Sequence, residues 1–270
     1  SLHYGHGTDN AADEAYWLVR AAHGWDYQGW NERPDTELVP RVLELARRRA
    51  EQRRPLAYLL GEAWFAGLRF SVDEHVLIPR SPIAELIERC YAPWCELESG
   101  DRVLDIGTGS GCLAIATAVH CPGVRVEATE ISAAARRVAA VNIAALAGDD
   151  DVVLLEADLY PAGREPYRLI VSNPPYVPSA ELAELPAEYE HEPAFALDGG
   201  PTGLDVVERI LAGAAEHLLP GGVLIVEVGG SQDAFTAAHP RLPVTWLEFE
   251  RGGDGVLLTT REELTGHLES

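Results

Sequence analysis

From Arg102 onward, short apolar runs alternate with stretches of helical periodicity, and that alternation restricts the chain to a largely parallel sheet with crossover helices. The expected strands are Arg102–Ile106, Arg125–Thr129, Val152–Glu156, Leu169–Ser172 and Val223–Val228. Between them CLAIATAVH, SAAARRVAAVNIAAL and LDVVERILAGAAEHL read as helices, the last stopped by Pro220-Gly221-Gly222. Two later runs, Val244–Phe249 and Gly255–Thr259, flank the turn RGGDG and predict an antiparallel hairpin closing the sheet's edge. The fold class expected is α/β, a seven-stranded sheet whose last strand is antiparallel.

The first hundred residues carry a different pattern. Ala15, Leu18, Val19 and Ala22 share one helical face, and Val42, Leu43, Leu45 and Ala46 continue the pattern beneath an Arg-rich outer face. Pro55 and Gly61 end it. Around Gly67 and the Asp73-Glu74 turn the period changes to that of a β-hairpin. Three regions are therefore expected: a helical N-terminal domain over 1–62, a hairpin linker over 63–80 and an α/β domain over 81–270.

Charge narrows the function. The chain carries a net charge of −22, and all 21 basic residues are Arg, so lysine Schiff-base chemistry and a P-loop lysine are excluded. Phosphate binding needs clustered positive charge, so this composition argues against direct binding of nucleic acid. An acidic surface attracts a basic macromolecule, although it also serves solubility alone. No apolar run approaches the roughly 18 residues of a membrane span, and the start SLHYGHGTDN has no signal-peptide character. A cytoplasmic protein is expected. Cys90, Cys95, Cys112 and Cys121 show no zinc or redox spacing and are expected to be reduced thiols, and the scattered histidines predict no metal site. His191-Glu192-Pro193 is not a metalloprotease helix, because Pro193 would interrupt it.

VLDIGTGSGCLAIA places Asp105, Gly107, Thr108, Gly109, Ser110 and Gly111 where the first long strand meets its helix. Glycines there let the backbone turn tightly and approach a ligand beside a helix N-terminus. The dinucleotide fingerprint requires a glycine at 112, which is Cys112, so nicotinamide dinucleotides lose ground. Glu130 follows the second strand, 19 residues after Gly111, where a carboxylate can accept both hydroxyls of a ribose. Asp158 or the backbone of Leu159, after the third strand, is placed to meet an adenine edge.

Asn173-Pro174-Pro175-Tyr176 follows the fourth strand and is the expected reacting site. An amide nitrogen is a poor nucleophile, because its lone pair is delocalised into the carbonyl. The Asn173 side-chain oxygen and the Pro174 carbonyl can accept its two N–H groups and favour the pyramidal nitrogen of the transition state. The prolines stiffen the loop, and Tyr176 offers an aromatic wall. Catalytic roles thus fall to Asn173, Pro174 and Tyr176, and substrate contacts to Asn173 through Tyr176.

G-x-G-x-G, the acid after the second strand and N-P-P-Y together resemble the methyltransferases of amide and amino nitrogens. AYLLGEAWFAGLRFSVDEHVLIPR is similar to the protein-glutamine methyltransferases of the PrmB/HemK-like family, which modify release factors and a ribosomal protein. LHYGHGTDNAADEA, IPRSPIAELI, LPAEYEHEPAFAL and GGDGVLLTTREEL resemble the ribosomal-protein branch. The resemblance implies a Rossmann-like methyltransferase sheet and S-adenosyl-L-methionine as cofactor, with Gly107 to Gly111 at its methionine part, Glu130 at its ribose and Asn173 at the acceptor amide. It implies as partner the third large-subunit ribosomal protein, with release factors the alternative substrate and a nucleic-acid amino group the next. The region 1–62 is the expected substrate selector. Arg80 is open between orienting the donor carboxylate and forming a salt bridge.

Overall fold

Asn10 starts the first helix, its side-chain oxygen accepting the amides of Ala12 and Asp13, and left-handed Gly24 ends it. In the computed structural model, which describes residues 2–8, 10–25, 35–148 and 151–268, this helix is α1 (Ala11–His23). It is followed by α2 (Val39–Gln52) and α3 (Leu56–Leu60). The hairpin β1 (Glu62–Phe65) and β2 (Leu68–Ser71) turns through Ala66-Gly67, both at positive φ. One expectation reverses here. Arg49, read as part of an outward Arg-rich face, is the buried residue of α2, whereas Leu43 is 63% exposed. Buried carboxylates explain the inversion: Arg49 Nε donates to Glu14 at 3.0 Å and Nη1 to Glu188 at 3.1 Å.

After α4 (Ala84–Glu88) come β3 (Arg102–Ile106), α5 (Cys112–His120), β4 (Arg125–Thr129), α6 (Ala133–Leu146), β5 (Val152–Leu155) and β6 (Tyr167–Ser172). Then follow α7 (Asp205–His217), β7 (Leu218–Glu227), α8 (Gln232–Ala238), β8 (Thr245–Leu247), β9 (Val256–Thr260) and α9 (Arg261–Leu268). The sheet order is β5-β4-β3-β6-β7-β9-β8, parallel through β7, with β9 antiparallel to both its neighbours. This is the seven-stranded Rossmann-like architecture expected. Residues Pro220-Gly221-Gly222, expected as a turn before the strand, lie inside β7, which starts directly after α7.

Alternation along the strands divides the core between the sheet's two faces. Val103, Val126, Leu169, Val171 and Ile225 join the N-terminal helices and hairpin on one side. Leu104, Ile106, Ile170, Leu224 and Val226 pack with α7 on the other. The chain runs outward from β3 to β5 and returns to β6 on the opposite flank of β3, which makes the β3/β6 boundary a topological switch point. Ile106 and Ser172 are register partners there, so the glycine turn and the Asn173 loop leave the sheet side by side.

Cys95 and Cys112 are free, but Cys90 and Cys121 form a disulfide, contrary to the expectation of four reduced thiols. Packing of α4 on α5 brings their Cα atoms to 5.2 Å, a span suited to the bond. Among the described residues no helix is long and apolar enough to cross a membrane, and no group of three or more His, Cys, Asp or Glu could hold a metal.

Candidate active site

A cavity of about 320 Å³ opens at the carboxyl ends of β3, β4 and β6. Its wall brings together most residues singled out in the sequence: Gly107 to Ser110, Glu130, Asp158, Leu159 and Asn173 to Pro175. Gly107 and Gly109 have φ of 70° and 56°, and a Cβ on either would project into open space. Such a turn leaves room for a ligand against bare backbone. Gly111 works differently. A Cβ there would come within 3.0 Å of Ile115 and 3.6 Å of Ala139, so this glycine sets the close approach of α5 to α6.

Glu130 ties two parts of the cavity wall together. Its carboxylate accepts the Gly109 amide at 3.0 Å and the Ser132 amide at 2.7 Å, which holds the glycine turn against the end of β4. Asp105 lies beneath that turn rather than in the wall. It is wholly buried, and Oδ2 accepts from Thr108 Oγ1 at 2.5 Å and the Ala114 amide at 3.1 Å. Burial, partly offset by these two bonds, pushes its carboxyl up to about 7. Asp158 is half exposed and accepts from Arg209 Nη2 at 2.7 Å. Leu159 stands in the left-handed region, φ 70°, with its carbonyl bonded to Thr129 Oγ1 at 2.7 Å.

Asn173 Oδ1 is buried and has no hydrogen-bond partner. A buried carbonyl oxygen left unpaired costs about 1–3 kcal/mol, so one standing in a cavity wall invites a donor from a ligand. Tyr176 departs from its expected place. It does not line the main cavity, because its hydroxyl is drawn to Glu227 Oε1 at 3.0 Å and its carbonyl accepts from Ser231 Oγ at 2.8 Å. Its ring instead walls an adjoining cavity of about 110 Å³, together with Leu185 and Tyr189, that shares Arg80, Asn173 and Pro174 with the larger one.

Arg80 resolves as a salt bridge. Both its terminal nitrogens donate to Glu192, at 2.6 and 2.7 Å, and Glu192 also accepts the Ile78 amide at 3.0 Å. His6 Nε2 lies 3.5 Å from the same carboxylate. Burial alone would raise the Glu192 carboxyl, yet His6 beside it and the charge and hydrogen bonds of Arg80 outweigh it and hold the group at about 2. Four residues upstream, Glu188 takes Arg49, Arg53 and the His3 amide. The N-terminal region thereby grips the segment that follows the Asn173 loop.

Sequence reasoning missed Glu188, Glu192 as an ion-pair partner, Glu227, Phe195 and Arg209. Phe195 and Arg209 line the cavity from a short 3-10 turn (Ala194–Ala196) and from α7, so no strand-end pattern marks them. Their neighbourhood exists only once the chain folds back. The spacing of Glu188 and Glu192 beside apolar Leu185 and Tyr189 was the available signal.

A model of the methyltransferase small domain matches residues 92–185. The ribosomal protein uL3 glutamine methyltransferase of Bordetella pertussis is 46% identical over 96% of this chain and 89% of its own length. The enzyme of that name from Neisseria gonorrhoeae is 44% identical, covering 98% and 90%, and that from Francisella tularensis 41%, covering 100% and 88%. Among solved structures, the hMettl16 catalytic domain bound to a MAT2A 3′UTR hairpin has a TM-score of 0.58 at 18% identity, covering 97% of both chains. A methyltransferase from Pyrococcus furiosus has a TM-score of 0.51 at 19% identity over 84% of this chain and 99% of its own. At such identities these two speak for the fold alone.

Proposed function

The chain belongs to the ribosomal protein uL3 glutamine methyltransferases, and on that premise we propose that it transfers a methyl group from S-adenosyl-L-methionine to the side-chain amide nitrogen of a glutamine in uL3. The observation that carries the reading is the buried, unpartnered Asn173 Oδ1 in the wall of a cavity that the open glycine turn also lines. When bound, the cofactor supplies an electrophilic methyl group. Gly107 to Ser110 hold its methionine part, Glu130 its ribose hydroxyls, and Asp158 with Leu159 its adenine edge. Gly111 and Asp105 act from behind, by packing and by fixing Thr108.

Asn173 Oδ1 and the Pro174 carbonyl accept the two N–H groups of the glutamine carboxamide. Held by both, the nitrogen presents its lone pair to the donor side, and orientation supplies much of the rate. Pro174 and Pro175 keep these acceptors from relaxing. The methylated nitrogen gives up a proton to solvent, so no general base is needed. Residues 1–62 act as the substrate selector, 63–80 as the linker and 81–270 as the transfer domain; the grip of Arg49 and Arg53 on Glu188 links the first of these to the segment after the Asn173 loop.

The deciding experiment offers isotope-labelled donor with purified uL3, with release factor and with RNA. Label on a uL3 glutamine supports the reading, whereas label on release factor or RNA alone overturns the substrate. Asn173→Ala should lower turnover by about 10²-fold or more. Its affinity for S-adenosylhomocysteine, measured calorimetrically, should stay near that of the wild type.

A further inference from the structure

Tyr176 is anchored at three points that all lie outside the cavity. Its hydroxyl donates to Glu227 Oε1 at 3.0 Å, and its carbonyl accepts from Ser231 Oγ at 2.8 Å. The third is its ring, which lies so close to Gly229 that a Cβ there would come within 2.5 Å of it. Gly203 closes on the Tyr176 carbonyl from another side, leaving no space for a Cβ. Glu227 is the last residue of β7 and is 5% exposed. Its second oxygen, Oε2, accepts from Ser81 Oγ at 2.5 Å, and Ser81 Oγ in turn accepts the Ile83 amide at 3.2 Å. One buried carboxylate therefore joins the end of β7, the segment after Arg80 and the loop after β6.

We infer that Glu227, with Ser81 behind it, is a positioning residue for the methyl transfer proposed above, acting on Asn173 and Pro174 through the Tyr176 hydroxyl. The lever is short. Only Pro174 and Pro175 separate Tyr176 from Asn173, and their fixed φ leaves little freedom to absorb a displacement. A carboxylate buried this deeply is costly unless its hydrogen bonds are made, and here both oxygens are engaged by hydroxyls from different elements. Burial raises its carboxyl above the ordinary range against those two bonds, so losing either hydroxyl leaves an exacting group less satisfied. The inference rests on the acceptor role of Asn173 and adds the residue that sets its place.

The test compares Glu227→Ala, Glu227→Gln, Tyr176→Phe and Tyr176→Phe/Glu227→Ala in the full chain with uL3 and saturating donor. Glu227→Ala and Tyr176→Phe should each lower kcat by about 10²-fold, as a displacement of roughly 1 Å does, with KM for uL3 nearly unchanged. Because both act through one bond, the double variant should be no slower than the worse single one. Glu227→Gln keeps one oxygen acceptor and should recover most of the loss. Crystal structures of wild type and Glu227→Ala supply a readout independent of substrate: Asn173 should move while the glycine turn stays. Multiplicative losses, an unchanged kcat, or an unmoved Asn173 overturn the inference. Failure of the wild type to label uL3 refutes the proposed substrate instead, and the position of Asn173 still decides the present point. Should Glu227→Ala not fold, Tyr176→Phe, which removes a single oxygen, carries both readouts.

Discussion

Replacing Glu192 by glutamine is the most direct probe of how the N-terminal region and the linker hold the acceptor side of the site. The carboxylate accepts two bonds from Arg80 and one from Ile78, with His6 beside it, and its side chain is fully shielded from solvent. It titrates at about 2, against an ordinary 4.5. At about 1.4 kcal/mol per pKa unit, that gap is worth roughly 3 kcal/mol of folding stability. The folded-state value is depressed, so the contribution is present above pH 4.5 and is lost as pH falls toward 2. Glu192→Gln should therefore destabilise the protein by about 3 kcal/mol at pH 7, a fall in Tm of roughly 6–12 °C for a chain of this size. The deficit against wild type should shrink as pH drops below 4.5. Calorimetric melts at pH 7 and pH 3.5 measure both. A loss below about 0.5 kcal/mol at pH 7, within the range of ordinary surface substitutions, would refute the argument.

Three further perturbations separate the parts of the site. Gly109→Ala places a side chain at φ 56°, at a cost of about 1–2 kcal/mol, and puts a methyl into open space at the glycine turn; affinity for S-adenosylhomocysteine should fall about tenfold or more by calorimetry. Asp105→Asn tests the raised carboxyl. A group at about 7 when folded and 3.8 when free favours folding while neutral and loses that advantage as pH rises through 7, so the Asn variant should gain on wild type by more than about 1 kcal/mol between pH 4 and pH 8 in urea titrations. Arg49→Met strips the countercharge from Glu14 and should cost about 3–5 kcal/mol; adding Glu14→Gln should return part of it in the same melts.

The local periodicities of the sequence were enough to place β3, β4, α5 and α7, because each is written by neighbours a few residues apart: apolar runs, helical spacing and glycine stops. The glycine turn, Glu130 and Asn173 were legible for the same reason, since a parallel sheet delivers every strand's carboxyl end to one edge. What the sequence alone determined is thus the sheet, the edge where the cavity opens and the residues standing there. The folded chain decided which side chains turn inward and which turn away. Arg49 looked solvated until Glu14 and Glu188, the latter 139 residues distant, closed around it, and Tyr176, expected at the main cavity, walls the adjoining one because Glu227 holds its hydroxyl. The physical reason is common to both. A buried charge or hydroxyl goes where its partner is, and a partner supplied by a remote strand or turn leaves no periodic trace near the residue it captures.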